Sequence, residues 1–213
     1  MRLFLASYRF GRHGDRFLEL AGEPGRVAVI ANACDSWPAS ARKSAVTSEL
    51  VQLRRVGFTP DEIDLREFVS RPAEFESRLA DYPVVWVRGG NTFVLRAQLA
   101  RSGADAALIR RLSADTLCYA GYSAGACELA PALHGQETTD DPAEVRPTCG
   151  VDAPWDGLGL VDRPLVVHLA SPTDPDGDSV RLAARYRADR TPHWPLTDDD
   201  VLVVHGDRTE LAH

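Results

Sequence analysis

The chain has 213 residues, of which 44% are hydrophobic, a length that suits one well-filled core and is short for two. We therefore expect a single domain over residues 1–213. Its 24 basic and 31 acidic residues give a net charge of -7. No basic stretch is long enough to follow a phosphate backbone, which argues against nucleic acid as a partner.

The first third of the chain alternates between strand and helix patterns. Residues 1–7 form a short apolar strand, and residues 25–31 form a second one. Helical spacing follows over residues 39–56, before a glycine that favours the end of a helix. A third short strand is predicted at residues 62–65, and a helix with proline in its first turn at residues 72–79.

The alternation continues to the C-terminus with one interruption. Residues 130–160 are rich in Pro, Gly and Asp and predict a long excursion near the functional site. A helix over residues 179–188 and two short strands around Gly206 and Asp207 close the chain. Alternating strands and helices predict a three-layer α/β/α sandwich with a mostly parallel central sheet, of the flavodoxin-like kind.

One strand-to-helix turn carries paired glycines. The apolar strand over residues 84–87 runs directly into the sequence Arg88-Gly89-Gly90-Asn91 and then a helix. Open α/β sheets build their sites at the carboxyl ends of strands, and glycine lets backbone N–H groups approach a ligand closely. A plain glycine-containing turn is the alternative for this segment taken alone.

A second turn places a serine between two glycines. The strand over residues 116–120 leads into Gly121-Tyr122-Ser123-Ala124-Gly125-Ala126, and a helix is favoured over residues 124–129. This is the local pattern of a nucleophile elbow, in which small neighbours let the serine adopt an unusual backbone conformation. The pattern predicts that Ser123 is an exposed nucleophile and that the Ala124 N–H can donate to an oxyanion.

These two turns, together with Trp155-Asp156-Gly157-Leu158-Gly159-Leu160 and a strand ending at His168, resemble the serine peptidase family of peptidase E (the aspartyl dipeptidase) and cyanophycinase. The resemblance is strongest over residues 80–170. It implies a fold like the class I glutamine amidotransferase domain, with serine where those enzymes carry cysteine. It also implies a triad of serine, histidine and an acid.

His168 is the expected base, because it ends the apolar run of residues 163–167 and would lie at a sheet edge. Five other histidines are less suited, since they lie among polar residues, beside proline, at a hairpin or at the end of the chain: His13, His134, His193, His205 and His213. The family's acid, matched by position, is Asp141, with Asp140 as the fallback. A solvated loop is the alternative for this pair before a proline.

The expected chemistry is hydrolysis of a small peptide or related amide through an acyl-enzyme. Gly90 and Ala124 would supply the oxyanion hole. Arg88 could pair with a substrate carboxylate. The remaining residues of the two turns that are expected to contact substrate are Gly89, Asn91 and Tyr122.

The sequence does not favour an aspartyl preference. Family members with that preference carry an arginine after the histidine in a Gly-Glu-Thr-Arg stretch, and Val180 stands at that position here, with Arg181 one place later. An amidase or esterase with the same triad, or an inactive ligand-binding member of the fold, are the alternatives. The serine, acid and histidine order also fits α/β-hydrolases, but 45 residues from Ser123 to His168 leave little room for their intervening elements.

No cofactor or metal is expected. The acidic run at residues 174–178 resembles a calcium loop but has Arg185 where the bidentate glutamate should stand. The four cysteines lack metal or redox spacing and are expected to be buried thiols. No segment approaches the ~18 to 20 apolar residues of a membrane span, so we expect a cytoplasmic protein without a membrane partner. The sequence leaves open whether two chains form a homodimer.

Overall fold

The computed structural model describes residues 1–213. The strands, in chain order, are β1 (Arg2–Ala6), β2 (Arg26–Ile30), β3 (Thr59–Glu62), β4 (Val84–Val87), β5 (Cys118–Tyr122), β6 (Leu165–Val166), β7 (Trp194–Pro195), β8 (Val201–His205) and β9 (Arg208–Ala212). The α-helices are α1 (Gly14–Ala21), α2 (Ala39–Arg55), α3 (Pro72–Leu79), α4 (Thr92–Ser102), α5 (Ala104–Ser113), α6 (Ala124–Cys127), α7 (Val145–Cys149) and α8 (Asp178–Ala188).

Seven strands form the central sheet in the order β3-β2-β4-β5-β1-β8-β9. Strands β1 to β5 are mutually parallel, whereas β8 runs antiparallel to β1 and β9 antiparallel to β8. The inner strands are buried on both faces and are almost continuously apolar, as parallel strands covered by helices must be.

Alternate residues of each central strand enter two separate apolar clusters, one on each face of the sheet. Along β1, Leu3 and Leu5 belong to one cluster and Phe4 to the other. Helices α3, α4 and α5 pack on the first face, whereas α1 and α2 pack on the second. The molecule therefore has three layers with a mostly parallel sheet, which confirms the predicted fold class.

The sheet register brings the ends of the neighbouring strands β4 and β5 together. Val87, the last residue of β4, is paired with Gly121 near the end of β5. Ala6 at the end of β1 is paired with Tyr122 on one side and with Val201 at the start of β8 on the other. The segments that follow β4 and β5 and the one that precedes β8 consequently meet at one edge.

Two predicted strands are placed differently by the structure. The third strand is Thr59–Glu62 rather than residues 62–65, because pairing with β2 begins opposite Arg26 directly after the turn at Gly57. The strand before His168 contributes only Leu165–Val166. It pairs with β7 in a separate two-stranded sheet, so it is not part of the central sheet.

Other expectations agree with the structure. The helix predicted over residues 72–79 is confirmed, and the closing hairpin turns at Gly206 and Asp207 between β8 and β9. All four cysteines are buried and free. None of the helices combines the length and the apolar character needed to cross a bilayer.

Candidate active site

Ser123 occupies the sharp turn between β5 and α6. Its backbone has φ 52° and ψ −122°, in the region that residues other than glycine rarely adopt. Its N–H donates to the Ala6 carbonyl at 3.1 Å, which ties the turn to β1. A side chain at Gly125 would collide with the Val87 carbonyl, so only glycine lets the start of α6 approach β4 this closely.

A hydrogen-bonded chain runs from Ser123 through His168 to Asp198. The His168 Nε2 atom lies 3.0 Å from Ser123 Oγ, and Nδ1 lies 2.7 Å from Asp198 Oδ1. Ser7 and Ser171 each donate a hydroxyl to the Asp198 carboxylate. With Nδ1–H facing the carboxylate, Nε2 is the acceptor for the Ser123 hydroxyl proton.

His168 is held in an unusual backbone conformation, with φ 57°. The buried Ser7 hydroxyl accepts from the His168 N–H at 2.7 Å, and the Ser179 hydroxyl donates to the His168 carbonyl at 2.9 Å. The Tyr8 ring contacts the imidazole edge, with ring centroids 6.4 Å apart. These contacts on both sides of the residue fix the direction in which the imidazole points.

The carboxyl partner of His168 is Asp198 and not Asp141. The Asp141 carboxylate instead accepts from the Ala143 N–H at 2.8 Å and caps a short 3₁₀ helix, Pro142–Glu144. Asp140, the fallback, accepts from the N–H and the hydroxyl of Thr92 at 2.9 and 2.6 Å. Asp141 is therefore used within the loop that follows the elbow helix, and Asp140 ties that loop to the start of α4.

Sequence reasoning missed Asp198 because Asp198-Asp199-Asp200 has the composition of a solvated turn. One signal was available. The C-terminal hairpin was correctly predicted, and an antiparallel strand beside β1 begins at the edge where the parallel strands end. Asp198 lies three residues before Val201, the first residue of that strand, and is therefore close to the elbow.

Gly89 and Gly90 face the elbow from the end of β4. A Cβ on Gly89 would lie 2.6 Å from the Cβ of Ser123, and one on Gly90 would lie 2.5 Å from the Ala33 carbonyl oxygen. The N–H groups of Gly90 and Ala124 donate no hydrogen bond within the protein. Two unpaired donors beside a serine hydroxyl are what an oxyanion site requires.

Arg88 is engaged by the protein itself. Its Nε atom forms an ion pair at 3.3 Å with Glu49, which is fully buried, and Nη1 donates to the Gly89 carbonyl at 2.6 Å. Glu49 also accepts from the Tyr122 hydroxyl at 2.8 Å and from the Trp86 indole at 2.9 Å. The positive charge of Arg88 is thus compensated before any substrate arrives.

Asn91, expected to contact substrate, is used elsewhere. Its Oδ1 accepts from the Val94 N–H and caps α4, while Nδ2 donates to the Asp141 carbonyl and to Glu144. Both ends of the amide are occupied in a buried position, so its side chain takes no place in the cleft wall.

A cleft of about 520 Å³ opens over Ser123. Arg88 is the one arginine or lysine among the residues that line it, and Asp178 is paired with Arg181 outside it. The acidic residues of the lining are Asp140, Asp174, Asp176 and Asp178. Burial raises the pKa of Asp140 to about 6 despite the donors from Thr92. The cleft is negative overall, which opposes the binding of an acidic side chain beside Ser123.

A family comparison shows to which group of proteins the chain belongs. The model of peptidase family S51 matches residues 15–212, nearly the whole chain. The chain belongs to peptidase family S51. It is therefore a serine-type peptidase, and the resemblance inferred from its motifs is confirmed.

Individual relatives of this S51 peptidase carry peptidase names. The chain is 26% identical over 154 residues to the uncharacterized peptidase Lmo0363 of Listeria monocytogenes, and the match covers 72% of this chain and 71% of that protein. It is 33% identical over 144 residues to peptidase E of Streptomyces coelicolor, covering 64% of this chain and 54% of that protein. The matched region thus spans little more than half of the Streptomyces protein.

Two solved structures share the fold of the S51 peptidase. A crystal structure of a candidate peptidase E from Listeria monocytogenes EGD-e has a TM-score of 0.79 at 20% identity, covering 100% of this chain and 98% of that one. A peptidase from an acI-B1 actinobacterium has a TM-score of 0.68 at 15% identity, covering 99% and 86%. At these identities the likeness is one of fold.

Proposed function

We propose that this S51 peptidase hydrolyses small peptides, or related amides, through an acyl-enzyme on Ser123. The observation that carries the proposal is the chain of hydrogen bonds from Ser123 through His168 to Asp198, at 3.0 and 2.7 Å. These distances are within the reach required of a nucleophile, its base and the group that orients the base. Asp198 takes the role that the sequence assigned to Asp141.

In the first half-reaction, Ser123 Oγ attacks the substrate carbonyl while His168 Nε2 accepts the hydroxyl proton. Asp198 holds the Nδ1–H tautomer and stabilises the imidazolium that forms. The Gly90 and Ala124 N–H groups donate to the oxyanion. Collapse of the tetrahedral intermediate breaks the C–N bond, and His168 returns its proton to the leaving amine.

In the second half-reaction, water attacks the Ser123 ester while His168 Nε2 accepts a proton from it. The second tetrahedral intermediate collapses, His168 protonates Ser123 Oγ, and the acid product leaves. The acidic walls of the cleft favour a substrate whose group beside the scissile bond is neutral or cationic, such as a free terminal ammonium. Arg88, which is paired with Glu49, orders the Gly89 loop through its bond to the Gly89 carbonyl.

A panel of dipeptides and tripeptides tests the proposal, with each mixture read by mass spectrometry after incubation with wild type or Ser123→Ala. The peptides of the panel carry Asp, Asn or Lys as the residue before the scissile bond and are otherwise identical. We expect cleavage by wild type alone, with Lys and Asn accepted better than Asp. Cleavage of simple esters without cleavage of any peptide would favour an esterase, and cleavage by both proteins would refute the role of Ser123.

A further inference from the structure

A second cavity of about 970 Å³ adjoins the cleft and is larger than it. It lies between the segment that follows β1 and the outer face of α2. Its walls are mostly polar, with several hydroxyl groups from α2 and three cationic side chains: Arg9, Lys43 and Arg55. We call it the Arg9 groove.

The Arg9 groove and the cleft share a wall at Tyr8. The Tyr8 ring centroid lies 6.4 Å from that of His168 and 5.7 Å from the Arg9 guanidinium carbon. Asp198, which holds His168, also lines the groove. A peptide seated on Ser123 and extended past the exposed Tyr8 ring would therefore enter the groove.

The three cations of the groove have no carboxylate partner within ion-pair distance. Arg9 Nη2 donates to the Ser48 hydroxyl at 2.9 Å and Nη1 donates to the Gln52 amide oxygen, both neutral, while its Nε is buried without a partner. The side chains of Lys43 and Arg55 form neither an ion pair nor a hydrogen bond, although the Lys43 backbone carbonyl accepts from the Thr47 hydroxyl at 2.9 Å.

Only one of the two acids of the groove has a cationic partner. Asp199 pairs with Arg12 at 2.9 Å, whereas Asp198 faces His168 and has no arginine or lysine partner. In a protein of net charge -7, three cations against this one carboxylate still give the polar cavity a positive field that favours an anion. The planar guanidinium of Arg9 can donate two hydrogen bonds to one carboxylate, and the ammonium of Lys43 adds a positive charge beside it.

We propose that the Arg9 groove is a substrate subsite for a carboxylate, supplied by an acidic side chain or by the C-terminus of the peptide. The proposal rests on the function proposed for Ser123. The acidic cleft and the basic groove then lie on opposite sides of Tyr8. A peptide binds across this ring with its amino end over the cleft and its carboxylate in the groove, so the enzyme accepts peptides longer than two residues.

Calorimetric titration of the Ser123→Ala protein tests this without turnover. The probes are Ala-Ala-Glu-Glu and Ala-Ala-Gln-Gln, each with a free or an amidated C-terminus, so that side-chain and terminal carboxylates are separated. We expect tighter binding of the probes that carry carboxylates, and weaker binding as salt is raised. Lys43→Gln and Arg55→Gln should each weaken that binding about fivefold, the loss expected of a solvated ion pair.

Arg54→Gln is the matched control, because Arg54 is the exposed neighbour of Arg55 on α2 and lies outside the groove. It should leave the affinities unchanged. Arg9→Gln completes the set, with its fold checked by circular dichroism. Equal binding of all four probes, or equal losses in the Arg54 and Arg55 variants, would overturn the subsite.

A second readout separates the subsite from the function of Ser123. Bound Ala-Ala-Glu-Glu should slow fluorophosphonate labelling of wild-type Ser123, and Arg55→Gln should reduce this protection. Labelling without charge-selective binding would refute the subsite alone. Charge-selective binding to a protein that never labels would refute the serine mechanism and leave an anion site, no longer a substrate subsite.

Discussion

Asp198 is held in place by three donors, His168, Ser7 and Ser171, which fill both of its oxygens. A carboxylate bound on every side has one orientation, and so does the imidazole that it faces. The position of the base over Ser123 is therefore set by the Asp198 carboxylate and by the hydroxyl groups that hold it. Ser7 contributes twice, because it also accepts from the His168 N–H.

Replacing Asp198 by Asn should lower kcat by about 100-fold to 10,000-fold, because the amide favours the wrong imidazole tautomer. Asp141→Asn is the matched control. Asn caps a helix as well as Asp does, so this variant should keep wild-type kcat and stability. Steady-state kinetics with the best peptide of the panel shows which aspartate supports catalysis. A larger loss of kcat in Asp141→Asn than in Asp198→Asn would favour Asp141, the acid that the sequence predicted.

At the scale of elements, one buried carboxylate joins α2 to the ends of two strands. Glu49 bonds Trp86 within β4, pairs with Arg88 just beyond it, and accepts from Tyr122 at the end of β5. Arg88 and Tyr122 immediately precede the Gly89 loop and Ser123. The two loops that carry the unpaired Gly90 and Ala124 N–H groups thus share a single anchor on α2.

Glu49→Ala should lower the free energy of unfolding by about 3 to 5 kcal/mol, because it leaves the Arg88 charge uncompensated in a largely buried site. Glu49→Gln retains the shape and should lose less. Urea denaturation of the three proteins measures the difference. Equal stability of Glu49→Ala and wild type would show that Glu49 does not anchor these strands.

Local sequence patterns were enough to name Ser123, His168 and the glycines as candidate site residues, because an elbow or a strand end is encoded by adjacent residues. Asp198 reaches His168 across 30 residues and a chain reversal, which no local pattern encodes. Glu49 was missed for a related reason. It lies in a helix with mixed polar spacing, and only packing against Trp86 and Tyr122 shows that it faces inward.

At the scale of the whole molecule, stability should depend on Glu128. This side chain is fully buried and neither carboxylate oxygen has a hydrogen-bond partner. Burial raises its pKa well above the usual value, so the folded protein keeps a proton that the unfolded chain releases. The contribution of this proton to the free energy of unfolding is fully present below the pKa that Glu128 has in the unfolded chain. It is lost as the pH rises toward the pKa that Glu128 has in the folded protein.

Glu128→Gln removes this titration and keeps the shape of the side chain. The stability of the variant relative to wild type should therefore rise from pH 5 to pH 8, by at most about 1.4 kcal/mol per pH unit. Asp140, whose pKa is raised to about 6, is present in both proteins, and its negative charge raises the pKa of Glu128 further. Parallel stability curves in urea across this range would show that Glu128 ionises freely in the fold.

Intact-mass analysis after fluorophosphonate treatment of wild type, Ser123→Ala and Asp198→Asn is the most direct test of the proposed nucleophile. We expect one adduct on wild type, none on Ser123→Ala, and much slower labelling of Asp198→Asn. An adduct that persists in Ser123→Ala, or equal labelling of wild type and Asp198→Asn, would contradict an activated serine held by His168 and Asp198.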